Sequence, residues 1–301
     1  MSEIWLSLVV PTRDRVKSAK WLAQRLEETA AQPDQVELIW VIDDNDLNSR
    51  SIVETVNGEL GRQSGRSSLR QDVVTCPAGS NMGELNRAGA EFARGEWVML
   101  LNDDVEPLTR NWDLALRRTV ESLRDPYHLL MVNDLDFEHR LATFPMVSRK
   151  FIEMAGGICP PGLRRFRIDD HTHAIFRMLG RMSGELRIQY HPYVIFRHKN
   201  WGLTGQSRRD VMASDDQEYV RLQTQRLELC RRILESLNLK ERMDFDLSSF
   251  RTAVPAHRKE ARWSHHGVRM ATLALALWSR CTGIGRRAWR SSLSSPRIET
   301  P

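Results

Sequence analysis

The feature that most narrows what this chain can fold into is a set of four strand-like apolar stretches in its first hundred residues, spaced by helix-like segments. Ile4–Val10 is dense in large apolar and β-branched residues and stops at Pro11. Val36–Ile42 is a second largely apolar stretch, and it ends in Asp43-Asp44-Asn45-Asp46. Val73–Thr75 is shorter, and Trp97–Leu101 runs into Asn102-Asp103-Asp104. Between them, Lys17–Ala31 places Trp21, Leu22 and Leu26 at helical spacing, and Ser51–Leu60 and Gly83–Ala93 also read as helices. Gly61–Ser68 is a polar, Gly/Ser-rich loop. Alternation of this kind specifies an open, mostly parallel sheet. Such sheets bind ligands beyond the carboxyl ends of their strands. The polar clusters Pro11–Asp14, Asp43–Asp46 and Asn102–Asp104 fall at three of those ends, and their convergence says more than any one of them. No GxGxxG follows the first strand, which argues against a dinucleotide-binding domain.

The second half is less regular. Trp112–Leu123 reads as a helix, Leu129–Asn133 as a strand, Arg149–Met154 as a short helix and Gly156–Gly162 as a Gly/Pro turn cluster. Asp170–Leu179 reads as a helix and Leu186–Arg197 as a strand. Lys199–Arg209 reads as a polar loop, and Ser214 as the cap of a long helix reaching about Leu237.

Charge separates the end of the chain from the rest. Residues 251–301 hold ten Lys/Arg and two acids, leaving 34 basic and 37 acidic groups in the first 250. The basic balance therefore belongs to an appendage, which argues against a nucleic-acid-binding fold. The four cysteines lie far apart with no CxxC pair, against a zinc site or a disulfide scaffold and in keeping with a reducing cytosol. The longest apolar run, Met270–Trp278, is too short to span a bilayer, and Ile4–Val10 does not read as a signal peptide.

Asp103 and Asp104 are the first candidates for chemistry. Two carboxylates directly after a buried strand are costly unless they bind something, and oxygen donors there suit Mg²⁺ or Mn²⁺ bridging to a diphosphate. A solvated turn capping the next helix is the alternative.

Three stretches, LSLVVPTRDR, ELIWVIDDND and GSNMGELNRAGAEFARGEWVMLLNDDVEP, resemble the family 2 glycosyltransferases of GT-A fold. The similarity covers roughly residues 4–110 and continues more weakly to about residue 235. It implies a mostly parallel α/β sheet flanked by helices, with a C-terminal helical extension. Residues 1–110 would form the nucleotide-sugar half of the domain, 111–240 the acceptor half and 241–301 a basic helical tail. The implied reaction is metal-dependent, inverting transfer of a sugar from a nucleoside-diphosphate donor to an acceptor hydroxyl on a glycan or lipid-linked molecule.

The resemblance also implies roles. Pro11, Thr12 and Arg13 would line the nucleoside pocket, Asp44 would contact base or ribose, and Asp43 lies beside it. Asn81, Gly83, Asn86 and Arg87 would lie against nucleotide and sugar. Many relatives carry a basic residue near Asn86, so which neighbouring side chain faces the phosphates stays open. In the DxD-type motif the first acid is Asn102, Asp103 would contact sugar or ribose, and Asp104 would be the principal ligand of Mn²⁺ or Mg²⁺. His198 would complete the metal shell, with His191 its rival. Asp170 would deprotonate the acceptor, with Asp169 as runner-up, although Asp at a helix start also serves as a cap. Trp201, Gly202 and Gly205 suit a loop closing over donor, with Arg208 or Arg209 at the diphosphate. His171 and His173 read as acceptor-site or surface residues.

Two rivals remain at this level: a catalytically inactive sugar-nucleotide-binding scaffold and a nucleotidyltransferase. Against the second, no Gly-rich, basic triphosphate loop follows the first strand. The tail from Arg262 to Arg290 mixes Trp263, Trp278 and Trp289 with arginines. It reads about equally as a helix at the inner membrane surface or a helix packed on the domain, with a partner-binding helix as a third option.

Overall fold

The structure is a computed structural model that describes residues 3–49, 51, 69–199 and 206–250. In chain order its main elements are β1 (Leu6–Pro11), α1 (Val16–Thr29), β2 (Val36–Asp43), β3 (Arg70–Cys76), α2 (Met82–Phe92), β4 (Trp97–Leu100) and β5 (Val105–Pro107). They continue with α3 (Trp112–Ser122), β6 (Leu129–Asn133), β7 (Met146–Ser148), α4 (Arg149–Ala155), α5 (Ile168–Ser183), β8 (Ile188–His198), α6 (Gln206–Arg221) and α7 (Gln223–Ser236). The strands form one sheet in the order β3-β2-β1-β4-β7-β6-β8-β5. β1 pairs parallel with β2 and β4, β2 with β3, and β6 with β8. β7 runs antiparallel between β4 and β6, and β5 antiparallel to β8. Six strands therefore point the same way, and the expected mixed, mostly parallel sheet is present.

Residues alternate between two cores. Leu6, Leu8 and Val10 of β1 join Leu38 and Trp40 of β2 in the core under α1 and α3. Val9, Ile39 and Val41 face the other side, where α2, α4, α5 and α7 supply Leu85, Phe151, Phe176 and Ile233. Burial on both faces is why these strands show no polar alternation. α2 lies so close to the sheet that a Cβ on Gly89 would stand 2.4 Å from Val9 Cγ1.

Two strands were not expected, and two readings change. β5 and β7, three residues each, are too short to carry a periodic signal; both exist through pairing with distant strands. Ser214 caps nothing: α6 begins at Gln206, and the chain breaks at Leu222 before α7. Of the polar Ser-Asp-Asp there, Asp215 is turned inward and binds backbone N–H groups of the loop before α5, while Ser214 is exposed. The polar loop after β8 is shorter than expected, since Gln206 is already helical. Residues 52–68, 200–205 and 251–301 lie outside the described residues, and with them the Ser51–Leu60 helix beyond its first residue, the Gly61–Ser68 loop, the Trp201–Gly205 loop and the tail. No helix of the described residues is long and apolar enough to cross a membrane.

Candidate functional site

Because β1, β2 and β4 are parallel neighbours, the loops leaving their carboxyl ends emerge side by side. Side chains then tie the loops together. After β1, Thr12 is buried and its Oγ1 donates to Asp103 Oδ2 at 2.7 Å. Arg15 Nη1 donates to Asp103 Oδ1 at 2.9 Å and reaches Asp104 Oδ2 at 3.4 Å. Asp14 N–H donates to Asp46 Oδ2 at 2.9 Å, joining the first loop to the loop after β2. Arg13 forms an ion pair with Asp43, whose second oxygen, Oδ1, is buried with no partner among the described residues. Asp44 is exposed, and its backbone N–H donates to Cys76 O at 2.7 Å.

The charges in this cluster are set by burial and mutual bonds. Burial pushes the Asp103 carboxyl above its ordinary range, opposed by the Thr12 hydroxyl and the Arg15 charge. Asp103 in turn holds the Arg15 guanidinium above its usual value. Burial also raises Asp46, but hydrogen bonds from Ser49 and Asp14 outweigh it and hold that carboxyl low.

The pairing of β5 with β8 brings the last component. Val105 sits opposite His198, and Lys199 N–H donates to Asp104 O at 2.9 Å. His198 Nε2 lies 2.7 Å from Asn102 Nδ2 and 3.7 Å from Asp104 Oδ1, with its ring edge-on to Phe144 at 4.9 Å. An oxygen and an imidazole nitrogen at that separation can both reach one divalent ion at about 2.1 Å each. Among the described residues no group of three or more His, Cys, Asp or Glu is arranged to hold a metal ion by itself. The chain therefore offers a partial donor set, one that fits an ion whose other positions are filled by a ligand's oxygens.

On α2 the four expected residues divide. Asn81 is the N-cap: its side chain accepts from Glu84 N–H at 3.1 Å, and Glu84 Oε2 accepts from Asn81 N–H at 2.8 Å. Gly83 allows close packing, since a Cβ there would stand 2.1 Å from Leu163 O. Asn86 Oδ1 and Arg87 Nε, by contrast, are buried atoms with unmet hydrogen-bonding capacity.

Asp169 and Asp170 belong to a second cluster with different partners. Arg167, in the left-handed region at φ 64°, precedes them. Its Nη1 donates to buried Asp170 Oδ2 at 3.1 Å and its Nε to Asp216 Oδ1 at 2.6 Å. Asp169 Oδ1 accepts from Asp170 N–H at 3.0 Å, so one oxygen serves the helix start. His171 and His173 are buried, which removes the surface reading. Burial and Arg226 push His171 down to about 3, and burial with Arg177 pushes His173 down to about 4. Burial also takes His191, on β8, to about 4.

Three site-building residues were not singled out in the sequence. Arg15 lies in an irregular loop with no pattern to mark it. Asp134 directly follows the apolar run of β6, a strand-end position that could have flagged it. Its Oδ1 accepts from Asp136, Phe137 and Glu138 N–H, and its Oδ2 from Thr143 Oγ1. Fully buried Asp215 accepts from Arg164, Arg165 and Phe166 N–H at 2.7–3.0 Å, and it had no local signal.

The fold agrees with known proteins. The model of glycosyl transferase family 2 matches residues 7–152, the stretch that carries the clusters after β1, β2 and β4. No curated protein matches the sequence. Among solved structures, mannosyltransferase PcManGT from Pyrobaculum calidifontis, in complex with GDP-Man and Mn²⁺, superposes with a TM-score of 0.51 at 15% identity, covering 93% of this chain and 75% of that one. S. aureus TarS 1–349 in complex with UDP gives 0.51 at 13% identity, covering 92% and 82%. The same TarS segment with UDP-GlcNAc gives 0.50 at 13%, covering 72% and 67%. The chain thus has the fold of the GT-A glycosyltransferases. Its residues 7–152 match the model of glycosyl transferase family 2, the family that the motifs resemble.

Proposed function

We propose that this chain is a glycosyltransferase that moves a sugar from a nucleoside-diphosphate donor to an acceptor hydroxyl, with inversion at the anomeric carbon. The observation that carries this reading is the convergence at one sheet edge of Thr12, Arg15, Asp103, Asp104 and His198, drawn from loops after β1 and β4 and from the end of β8. The family 2 match supports it, and the donors bound by the structural neighbours, GDP-Man and UDP-GlcNAc, suggest the donor class.

In this reading residues 1–110 hold the donor and 111–240 the acceptor. Pro11, Thr12, Arg13, Asp43 and Asp44 face the nucleoside, Asp103 faces ribose or sugar, and Asn86 and Arg87 use their unmet polar atoms on the phosphates or sugar. Asp104 and His198 hold Mn²⁺ or Mg²⁺. When bound, such an ion neutralises charge on the departing diphosphate. Asp170 takes the acceptor proton as the acceptor oxygen bonds to the anomeric carbon, and the bond to the diphosphate oxygen breaks with its electron pair.

Arg15 favours one alternative by a specific contact. Its guanidinium already bridges both carboxylates, as it would in a protein that binds sugar nucleotides without turning them over. Release of nucleoside diphosphate from a donor panel separates the two. Slow donor hydrolysis, lost in Asp104→Ala and strongly reduced in Asp170→Asn, is the expected result. Donor binding with no turnover under any condition would leave the scaffold.

A further inference from the structure

A cavity of about 350 Å³ opens between α4, the turn at Gly156–Pro161, the first turn of α5 and α7. None of its lining residues belongs to the cluster around Asp103. Arg226 and His171, both buried, form part of its wall beside apolar Phe151 and Ile175, while Arg232 and Glu228 are exposed and lie at the rim.

Arg226 stands out against the other buried arginines. Among the described residues three are buried. Arg187 pairs with Asp125 at 2.6 Å and Glu185 at 2.5 Å, and Arg167 with Asp170 at 3.1 Å and Asp216 at 2.6 Å. Among the described residues Arg226 makes no ion pair. Its Nη1 donates to Tyr219 O at 2.9 Å and lies 3.3 Å from His171 Nδ1, its guanidinium carbon sits 4.3 Å from the Tyr219 ring centre, and its buried Nε has no partner among the described residues. A buried cation lacking a counter-ion is costly unless something anionic joins it. A guanidinium can only donate, so His171 Nδ1 accepts and the imidazole proton lies on Nε2. Burial keeps that ring neutral. The wall therefore offers a full positive charge and a second N–H donor.

We propose that this cavity is an anion subsite in which Arg226, assisted by His171, binds a phosphate or carboxylate group carried by the acceptor. The assignment to the acceptor rests on the glycosyltransferase reading: His171, on the cavity wall, follows Asp170 directly on α5. An anion held here brings the acceptor to the first turn of α5. The anion subsite itself stands without that reading.

The test uses the full chain, with inorganic phosphate and acetate as separate probes and potassium chloride holding ionic strength constant. Phosphate, acetate or both are expected to raise the melting temperature saturably, and the responding probe names the group. In Arg226→Met that response weakens at least tenfold, while the response to nucleoside diphosphate with Mn²⁺ is unchanged. The variant alone melts no lower than wild type, since it removes an unpaired buried charge. Arg226→Lys, which keeps the charge but loses the flat stack on Tyr219, serves if the methionine variant does not fold, and is expected to bind several-fold more weakly. No response to either probe in wild type, or an unchanged response in the variant that folds, overturns the proposal. Loss of the nucleotide response with the anion response intact would break the transferase reading and leave the anion subsite standing.

Discussion

The two halves of this sheet, which the proposed function makes the donor and acceptor sides, are built by different means. On the donor side, parallel strands β1, β2 and β4 end in register, and Thr12, Asp43, Asp103 and Asp104 are placed by backbone regularity. On the acceptor side, irregular segments are held by carboxylates that grip backbone N–H groups, Asp134 on the loop after β6 and Asp215 on the loop before α5. On the donor side the strands set where the loops begin, and bonds among site side chains, Thr12 and Arg15 to Asp103, join loops already brought together. On the acceptor side polar side chains are themselves the scaffold. A substitution should therefore cost function on one side and folding on the other.

The largest expected effect is that of Asp104→Ala, which removes one of the two proposed metal donors and leaves His198. Transfer should fall by about a thousandfold or more, while the urea midpoint moves by less than about 1 kcal/mol of stability. Parallel loss of stability would break the comparison on the donor side. Asp215→Ala is its counterpart: it strands three backbone N–H groups and should destabilise the chain by about 3 kcal/mol in the same urea measurement. A near-neutral result would show that α6 is not needed to hold the loop before α5.

Acid should find the acceptor side next. His171 and His173 are held neutral by burial, far below the ordinary histidine value. Below about pH 6.5 the unfolded chain takes up protons that the folded chain refuses, so stability falls as pH drops toward about 4. Between pH 6.5 and 5.5 each histidine should cost about 1 kcal/mol, and His171→Gln should remove its share of the slope. A flat profile would mean that neither ring is held neutral. The smallest effect is expected from Thr12→Val, which loses one hydroxyl bond to Asp103, worth about 1 kcal/mol, and should weaken donor binding several-fold with the fold unchanged. An unaltered donor affinity would separate Asp103 from the donor.

The same contrast explains what the sequence disclosed. β1, β2 and β4 are marked by apolar runs because both their faces are buried, and the carboxylates after them stand where a parallel sheet presents ligands. His198 could be placed by order, but its approach to Asp104 depends on the β5–β8 pairing, and β5 is three residues long. Asn81 and Gly83 match a family motif, yet the structure uses them to cap and pack α2, a distinction that residue identity does not carry. Arg226 sits in TQRLELCRR, where nothing separates it from Arg231 or Arg232; only packing of α7 against α5 buries one and leaves the others in water. Asp215 grips a loop some fifty residues upstream, so no local window contains both partners.

The most direct test of the central claim is a thermal-shift panel of UDP-, GDP-, dTDP- and CMP-sugars, each with and without Mn²⁺, on wild type and Asp104→Ala. A ligand that binds only the folded chain raises the melting temperature by mass action. The account predicts a shift with one nucleotide sugar that requires Mn²⁺ and disappears in Asp104→Ala. A folded wild-type chain that shifts with none of them at millimolar concentration, or shifts equally in the variant, would contradict it.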